Sequence, residues 1–226
     1  MRRMLTTILA LAALAAPAFA AQSGLKPFDA EYIANYQGME GNAHMTLAQT
    51  GAQWKYTLSV NSSLASLSQS TTFDENGGQW RPLSGTDASA VLIKKKNKQA
   101  NYDWNKGVAT WSGDVKPDRA GPVKLQPGDL DAMLVNLAIA RDVQAGKPLR
   151  YRMVDDGRAK EHVYTVAGTE SIDIGGKKQQ ATKVQRTDGN KQTIVWIVDG
   201  LPTPARILQH DDDGTFELQL IDYQEV

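Results

Sequence analysis

The residues with the means to do chemistry in this chain are few, and their spacing argues against most reactions. His44, His162 and His210 stand far apart, with no i,i+4 partner and no His-x-His neighbour, so the helical zinc signature is absent. They read as exposed or edge-strand histidines. Asp211-Asp212-Asp213-Gly214 resembles the opening of a calcium loop but lacks its ligand spacing and closing glutamate, and between two strands it reads as a hairpin turn. Ser23-Gly24-Leu25-Lys26 fits the Ser-x-x-Lys pattern of penicillin-recognising serine enzymes, yet neither companion triplet of those enzymes follows. It reads as a chance match. There is no nucleophile elbow, no phosphate-binding glycine loop and no dinucleotide fingerprint, and no acidic pair has surroundings that mark it as acid and base. The sequence therefore assigns no catalytic residue, no metal site and no cofactor, and the expectation is a protein that is not an enzyme.

The informative side chains are aromatic and thioether. Tyr32, Tyr36, Tyr56, Trp104, Tyr151, Tyr164 and Trp196 sit at alternating positions, with Met45 and Met153 among them. Alternation places them on one face of a sheet, and that face is expected to be concave. In a small closed barrel they would fill the core; in a half-open one they would line a mostly apolar ligand pocket with a few polar handles. The sequence leaves both open, and these nine are the candidate ligand-binding residues. Lys94-Lys95-Lys96, with Lys98, forms the sole basic cluster. It suits anionic lipid headgroups or acidic polymers, and it equally suits a solvated sheet edge, where lysines discourage intermolecular pairing. The edge is the simpler reading.

The elements that must position these residues are strands. Phe28, Ala30, Tyr32, Ala34 and Tyr36 alternate with Asp29, Glu31, Ile33, Asn35 and Gln37, the period of a half-buried strand. Ala43, Met45 and Leu47 return after a glycine turn, and Trp54, Tyr56, Leu58 and Val60 make a third strand of an antiparallel meander. Ser62–Ser70 fits either a strand or a helical turn. Gly113–Gly128 holds three prolines, and at about 16 residues it is long enough to suggest a loop that covers or gates something. Asp129 then caps a helix carrying Leu130, Met133, Leu134 and Leu137, with Asp131 in its first turn and Gly146 closing it. After it the period of two returns to the end of the chain. The expected fold is all-β and mainly antiparallel: a large curled sheet or barrel of about 10–12 strands with one helix packed on it.

The chain has 226 residues, 25 of them basic and 25 acidic, and no cysteine. Balanced charge argues against a nucleic-acid partner, and the missing cysteines exclude disulfides, thiolate metal sites and a lipidated cysteine anchor. Arg2-Arg3, the apolar run Met4–Ala16 and Ala18-Phe19-Ala20 read as a cleavable signal peptide at residues 1–20, the run being too short to span a bilayer. Residues 21–27 are expected to be a mobile leader and 28–226 a single β-rich domain, exported to the periplasm without a membrane span. Cleavage would leave 23 basic against 25 acidic residues.

The order of these features resembles a bacterial family of exported proteins catalogued as domain of unknown function 3108. The matching features are Phe28-x-Ala30-x-Tyr32, Gly38 and Gly41 in the first turn, and the helix start at Asp129-Leu130. Further on are Trp196 before Leu201-Pro202-Thr203-Pro204, and Asp213-Gly214 before Leu218. The helix start reads Asp-Leu-Asp-Ala where the family pattern carries a serine. The resemblance implies a periplasmic β-rich domain and supplies no catalytic residue. Three functions follow in order of preference: binding or chaperoning an apolar or amphipathic envelope molecule such as a lipid or acyl chain; a structural adaptor of an envelope complex with a filled barrel; and, remotely, an enzyme on envelope polysaccharide or peptidoglycan. The oligomeric state is not legible.

Overall fold

The structure is a computed structural model that describes residues 24–92 and 94–226; the signal-peptide segment lies outside the described residues. The first half of the chain is a continuous meander: β1 (Phe28–Tyr36), β2 (Met39–Thr50), β3 (Gln53–Asn61), β4 (Ala65–Asn76), β5 (Gln79–Val91), β6 (Lys94–Asp103) and β7 (Val108–Gly113). A short β8 (Val123–Lys124) precedes the helix α1 (Ala132–Gln144). The second half contains β9 (Arg150–Asp155), β10 (Arg158–Val163), β11 (Thr165–Ile174), β12 (Lys177–Asp188), β13 (Lys191–Ile197), β14 (Arg206–Asp211) and β15 (Gly214–Glu225). Thirteen of the strands form one sheet in the order β11-β12-β13-β14-β15-β1-β2-β3-β4-β5-β6-β7-β8, and β9 and β10 pair separately. The sheet is curled but open, with β11 and β8 at its edges, so the barrel alternative does not hold. The undecided segment Ser62–Ser70 enters β4.

The first and last strands meet in the middle of the sheet, where Phe28 pairs with Glu225 and Tyr36 with Phe216. Alternation along β1 is realised as read, with Phe28, Ala30, Tyr32 and Ala34 buried between more exposed neighbours. These side chains face inward, and α1 lies across them with Leu134, Leu137, Ala138 and Ile139 fully buried. Leu134→Ala should therefore lower the unfolding free energy by about 3 kcal/mol in urea titration, since both apolar burial and packing are lost.

The helix begins two residues later than expected. Asp131, not Asp129, is the cap: its carboxylate accepts the Leu134 amide at 2.9 Å, while Asp129 accepts from the Gln126 amide and pairs with Arg152. Leu130 is held outside the helix by a parallel bridge to Met153. The long proline-rich loop packs against the sheet and covers a second core. Val123 and Lys124 extend the sheet beside β7, and Leu125 joins Tyr102, Ala109, Trp111 and Val154 in that smaller core. The loop is fastened to the β9–β10 turn, where Arg119 Nη1 donates to the Asp156 carbonyl at 2.9 Å. Gly157 in that turn has φ +70°, and an added Cβ would lie 2.3 Å from the Arg119 carbonyl oxygen, so only glycine permits this approach. Before β1, Leu25 packs partly on the main core and Lys26 pairs with Glu225 at 2.8 Å.

Candidate functional site

The concave face is part filled and part open. In the filled part, the Tyr32 hydroxyl donates to the Pro204 carbonyl at 2.8 Å and lies 3.1 Å from Thr203 Oγ1. The Tyr56 hydroxyl reaches Met45 Sδ at 3.0 Å and Thr203 Oγ1 at 3.3 Å. The loop after β13 thus closes one end of the curl, with buried hydroxyls satisfied by its backbone and Thr203. Burial pushes both tyrosine pKa values upward, so both remain neutral donors. Tyr32→Phe would leave the Pro204 carbonyl without this donor, and thermal unfolding should show a loss of about 1–2 kcal/mol.

The other half of the curl is open. Between α1 and the concave face of the strands lies a cavity of about 240 Å³ of mixed character, with Met45, Leu58, Met153 and Leu218 on its apolar side and Asn136 and Arg186 on its polar side. Beside it lies an outer cleft of about 380 Å³ bordered by Tyr36, Met39, Val60, Leu67 and Val91. Leu58, Gln69, Gln209 and Phe216 border both spaces, so the two lie side by side along one groove-like stretch of the concave face. Its size is that of a small-molecule pocket, and the lining of the outer cleft is dominated by aliphatic and aromatic carbon.

Of the nine residues proposed from sequence, Met45, Met153 and Tyr164 line the inner cavity and Tyr36 the outer cleft. Tyr32 and Tyr56 belong to the filled part. Tyr151 lies beside the groove, its ring against Tyr164 at 6.3 Å and its hydroxyl donating to Asp142 at 3.1 Å. Trp104 and Trp196 do not line it. The Trp104 indole donates to the Pro82 carbonyl at 2.7 Å beside Arg81. Trp196 lies under the Arg206 guanidinium, 4.5 Å from the ring centre, and donates to Glu170.

Sequence reasoning missed Leu58, Gln69 and Phe216 at the neck of the groove. The period of Trp54, Tyr56 and Leu58 carried the first; nothing local marked Gln69. It also misplaced His162, which is buried, not exposed, and borders the inner cavity. Burial, reinforced by Arg186 and Lys160, lowers its pKa to about 4, so it is neutral at physiological pH. His44 is half-buried near Asp29, and His210 is exposed and bonded to Thr215.

Past Gln69, Ala132 and Met133 the groove adjoins a polar niche of about 60 Å³. Thr71 donates to Asp131 there, Asp155 stands beside it, and Lys98 pairs with Asp87 at 3.1 Å. Burial raises the Asp131 pKa to about 7 and that of Asp155 in the same direction. The buried Trp111 Nε1 at the niche wall has no hydrogen-bond partner among the described residues. Space of this size takes a water or a small polar group. Among the described residues no cluster of histidine and carboxylate side chains could hold a metal ion, and no helix is long and apolar enough to cross a membrane.

The family profile described as Protein of unknown function (DUF3108) matches residues 31–221. The chain belongs to this family. The match runs from within β1 to within β15 and includes every residue that lines the inner cavity. No curated protein matches the sequence. Among solved structures, the crystal structure of MucB aligns over 88% of this chain and 53% of its own, at 7% identity and a TM-score of 0.33. The complex of Pseudomonas aeruginosa MucA and MucB aligns over 88% and 51%, at 9% identity and a TM-score of 0.35. The chain spans about half the length of those chains, and a TM-score of this size establishes no shared function.

Proposed function

We propose that this DUF3108 member is a periplasmic carrier that holds an acyl chain of an envelope lipid or lipidated molecule in the groove beneath α1. The observation that supports this most is the adjacency of the inner cavity and the aliphatic outer cleft, which share Leu58 and Phe216. An apolar chain threaded there would replace water along both walls, the ordinary source of affinity for such ligands. The polar niche beyond Met133 offers Asp131 and the Trp111 N–H to a small polar group. Export rests on the signal-peptide reading of residues 1–20. A filled-barrel adaptor is the weaker reading, because the sheet is open and keeps a cavity and a cleft on its concave side. The proposal assigns no reaction to the protein.

Titration with a fluorescent long-chain fatty acid tests this reading. Saturable enhancement at one probe per chain is expected, reversed by palmitate and unaffected by butyrate. Absence of saturable enhancement, or equal competition by butyrate, would remove the acyl-chain assignment.

A further inference from the structure

The meander puts the β1–β2, β3–β4 and β5–β6 turns at one end of the sheet, and these three tips carry an unusual load. Met39 is 49% exposed, Leu64 52%, Val91 52% and Leu92 74%. Turn tips at the opposite end of the same strands are Gly51-Ala52, Gly77-Gly78 and Trp104–Gly107, and their one large apolar side chain, Trp104, is half-buried with its indole donating to the Pro82 carbonyl. The tips are also joined: the Leu92 amide donates to the Leu64 carbonyl at 3.1 Å, and Met39 and Val91 border the same outer cleft.

Leu92 has φ +53°, in the left-handed region that a leucine seldom adopts and that asparagine or glycine takes readily. A turn built only for folding would carry one of those. Here a large aliphatic side chain is held outward at a conformational cost, which points to a use outside the fold. Directly after the tip come Lys94, Lys95 and Lys96, all exposed, and none of the three is ion-paired among the described residues. These lysines lie on the part of β6 that extends past β7, since pairing with β7 begins at Lys98. A local edge accounts for the lysines. It does not account for the leucines and methionine beside them.

We propose that the three tips form a membrane-docking rim that inserts Met39, Leu64 and Leu92 into the interface of an anionic bilayer, with Lys94–Lys96 on the headgroups. Apolar tips bordered by lysines match the two contributions by which peripheral proteins bind such surfaces, shallow apolar burial and attraction to anionic lipid. The outer cleft opens at this rim between Tyr36, Met39 and Val91, so docking places its mouth against the lipid surface. The acidic β14–β15 turn, Asp211–Asp213, lies at the same end on the other side of β1 and would tilt the molecule toward its lysine side.

The test is co-sedimentation of the folded chain with phosphatidylcholine vesicles containing or lacking phosphatidylglycerol. Wild type is expected to partition onto the anionic vesicles and far less onto neutral ones, with binding reduced by salt. Leu92→Asn, which suits the left-handed turn and so keeps or raises the melting temperature, should weaken partitioning about tenfold. Replacing Lys94, Lys95 and Lys96 together by Gln should weaken it about a hundredfold, from roughly fivefold for each lysine. Both variants should bind fluorescent fatty acid like wild type, which separates this proposal from the groove assignment. No wild-type binding to anionic vesicles, or equal binding by all three proteins, overturns it. A concentration-dependent dimer lost in Leu92→Asn, with no vesicle binding, would assign the tips to a second copy and also overturn it.

Discussion

Gln69→Trp is expected to reduce affinity for a long-chain fatty acid at least tenfold while leaving the fold intact. Gln69 borders the inner cavity, the outer cleft and the polar niche, which makes it the side chain best placed to obstruct a chain that occupies more than one of them. It is half-buried on β4, so an indole can occupy the neck without being forced into a packed core. Blocking the neck divides one groove into two short spaces and removes much of the apolar contact with a long chain. At about 0.8 kcal/mol per buried methylene, losing two or three methylenes already yields the tenfold effect. Fluorescent fatty-acid titration measures it, with circular dichroism to check the fold. Unchanged affinity would mean that the chain does not pass through the neck.

The second large effect is the pH dependence of stability at Asp131. Its pKa in the folded protein is raised to about 7 by burial, against the ordinary aspartate value of about 4. The folded state therefore holds the proton more tightly than the unfolded chain. The sign follows: the stability associated with the protonated group is fully present below about pH 4 and is lost as pH rises through about 7. Asp131→Asn resembles the protonated acid. It retains an oxygen for the Leu134 amide and an NH₂ for Thr71, and it removes the part of the pH dependence that comes from residue 131 while leaving that of Asp155. Wild type and the Asp131→Asn variant should be nearly equal at pH 4 and diverge towards pH 8 by up to about 4 kcal/mol in favour of the variant. Asp131→Ala loses the cap as well and should be about 1 kcal/mol less stable than Asp131→Asn at every pH. Urea titrations at pH 4, 6 and 8 measure the divergence; parallel curves for wild type and Asp131→Asn would show that Asp131 is ionised without penalty.

Much of the architecture is legible because one side of the sheet is buried, and alternation records that directly. Phe28, Ala30, Tyr32 and Ala34 share one face by their period and are buried on it. The helix is legible from its apolar stripe, but its start is not. Asp129 and Asp131 are equally good caps locally, and the choice falls to tertiary contacts: Arg152 takes Asp129, and Met153 bridges Leu130. The site is harder to read. Alternation gives parity, not which face a curled sheet turns inward, and Val195, Trp196 and Ile197 are all buried in succession. Trp196 therefore reads as a lining residue, although it sits under Arg206 and Lys183, whose stems shield it. Gln69 is invisible for a different reason: the serine-rich start of β4 has no apolar period, so nothing local says that it turns towards the groove.

Native mass spectrometry of protein purified from cells tests most directly whether the open half of the curl holds an acyl chain, as proposed. The predicted result is a second charge-state series heavier by the mass of one lipid, extractable into organic solvent and lost in Gln69→Trp. A single series at the mass of the bare chain, unchanged after incubation with long-chain lipid, would contradict it.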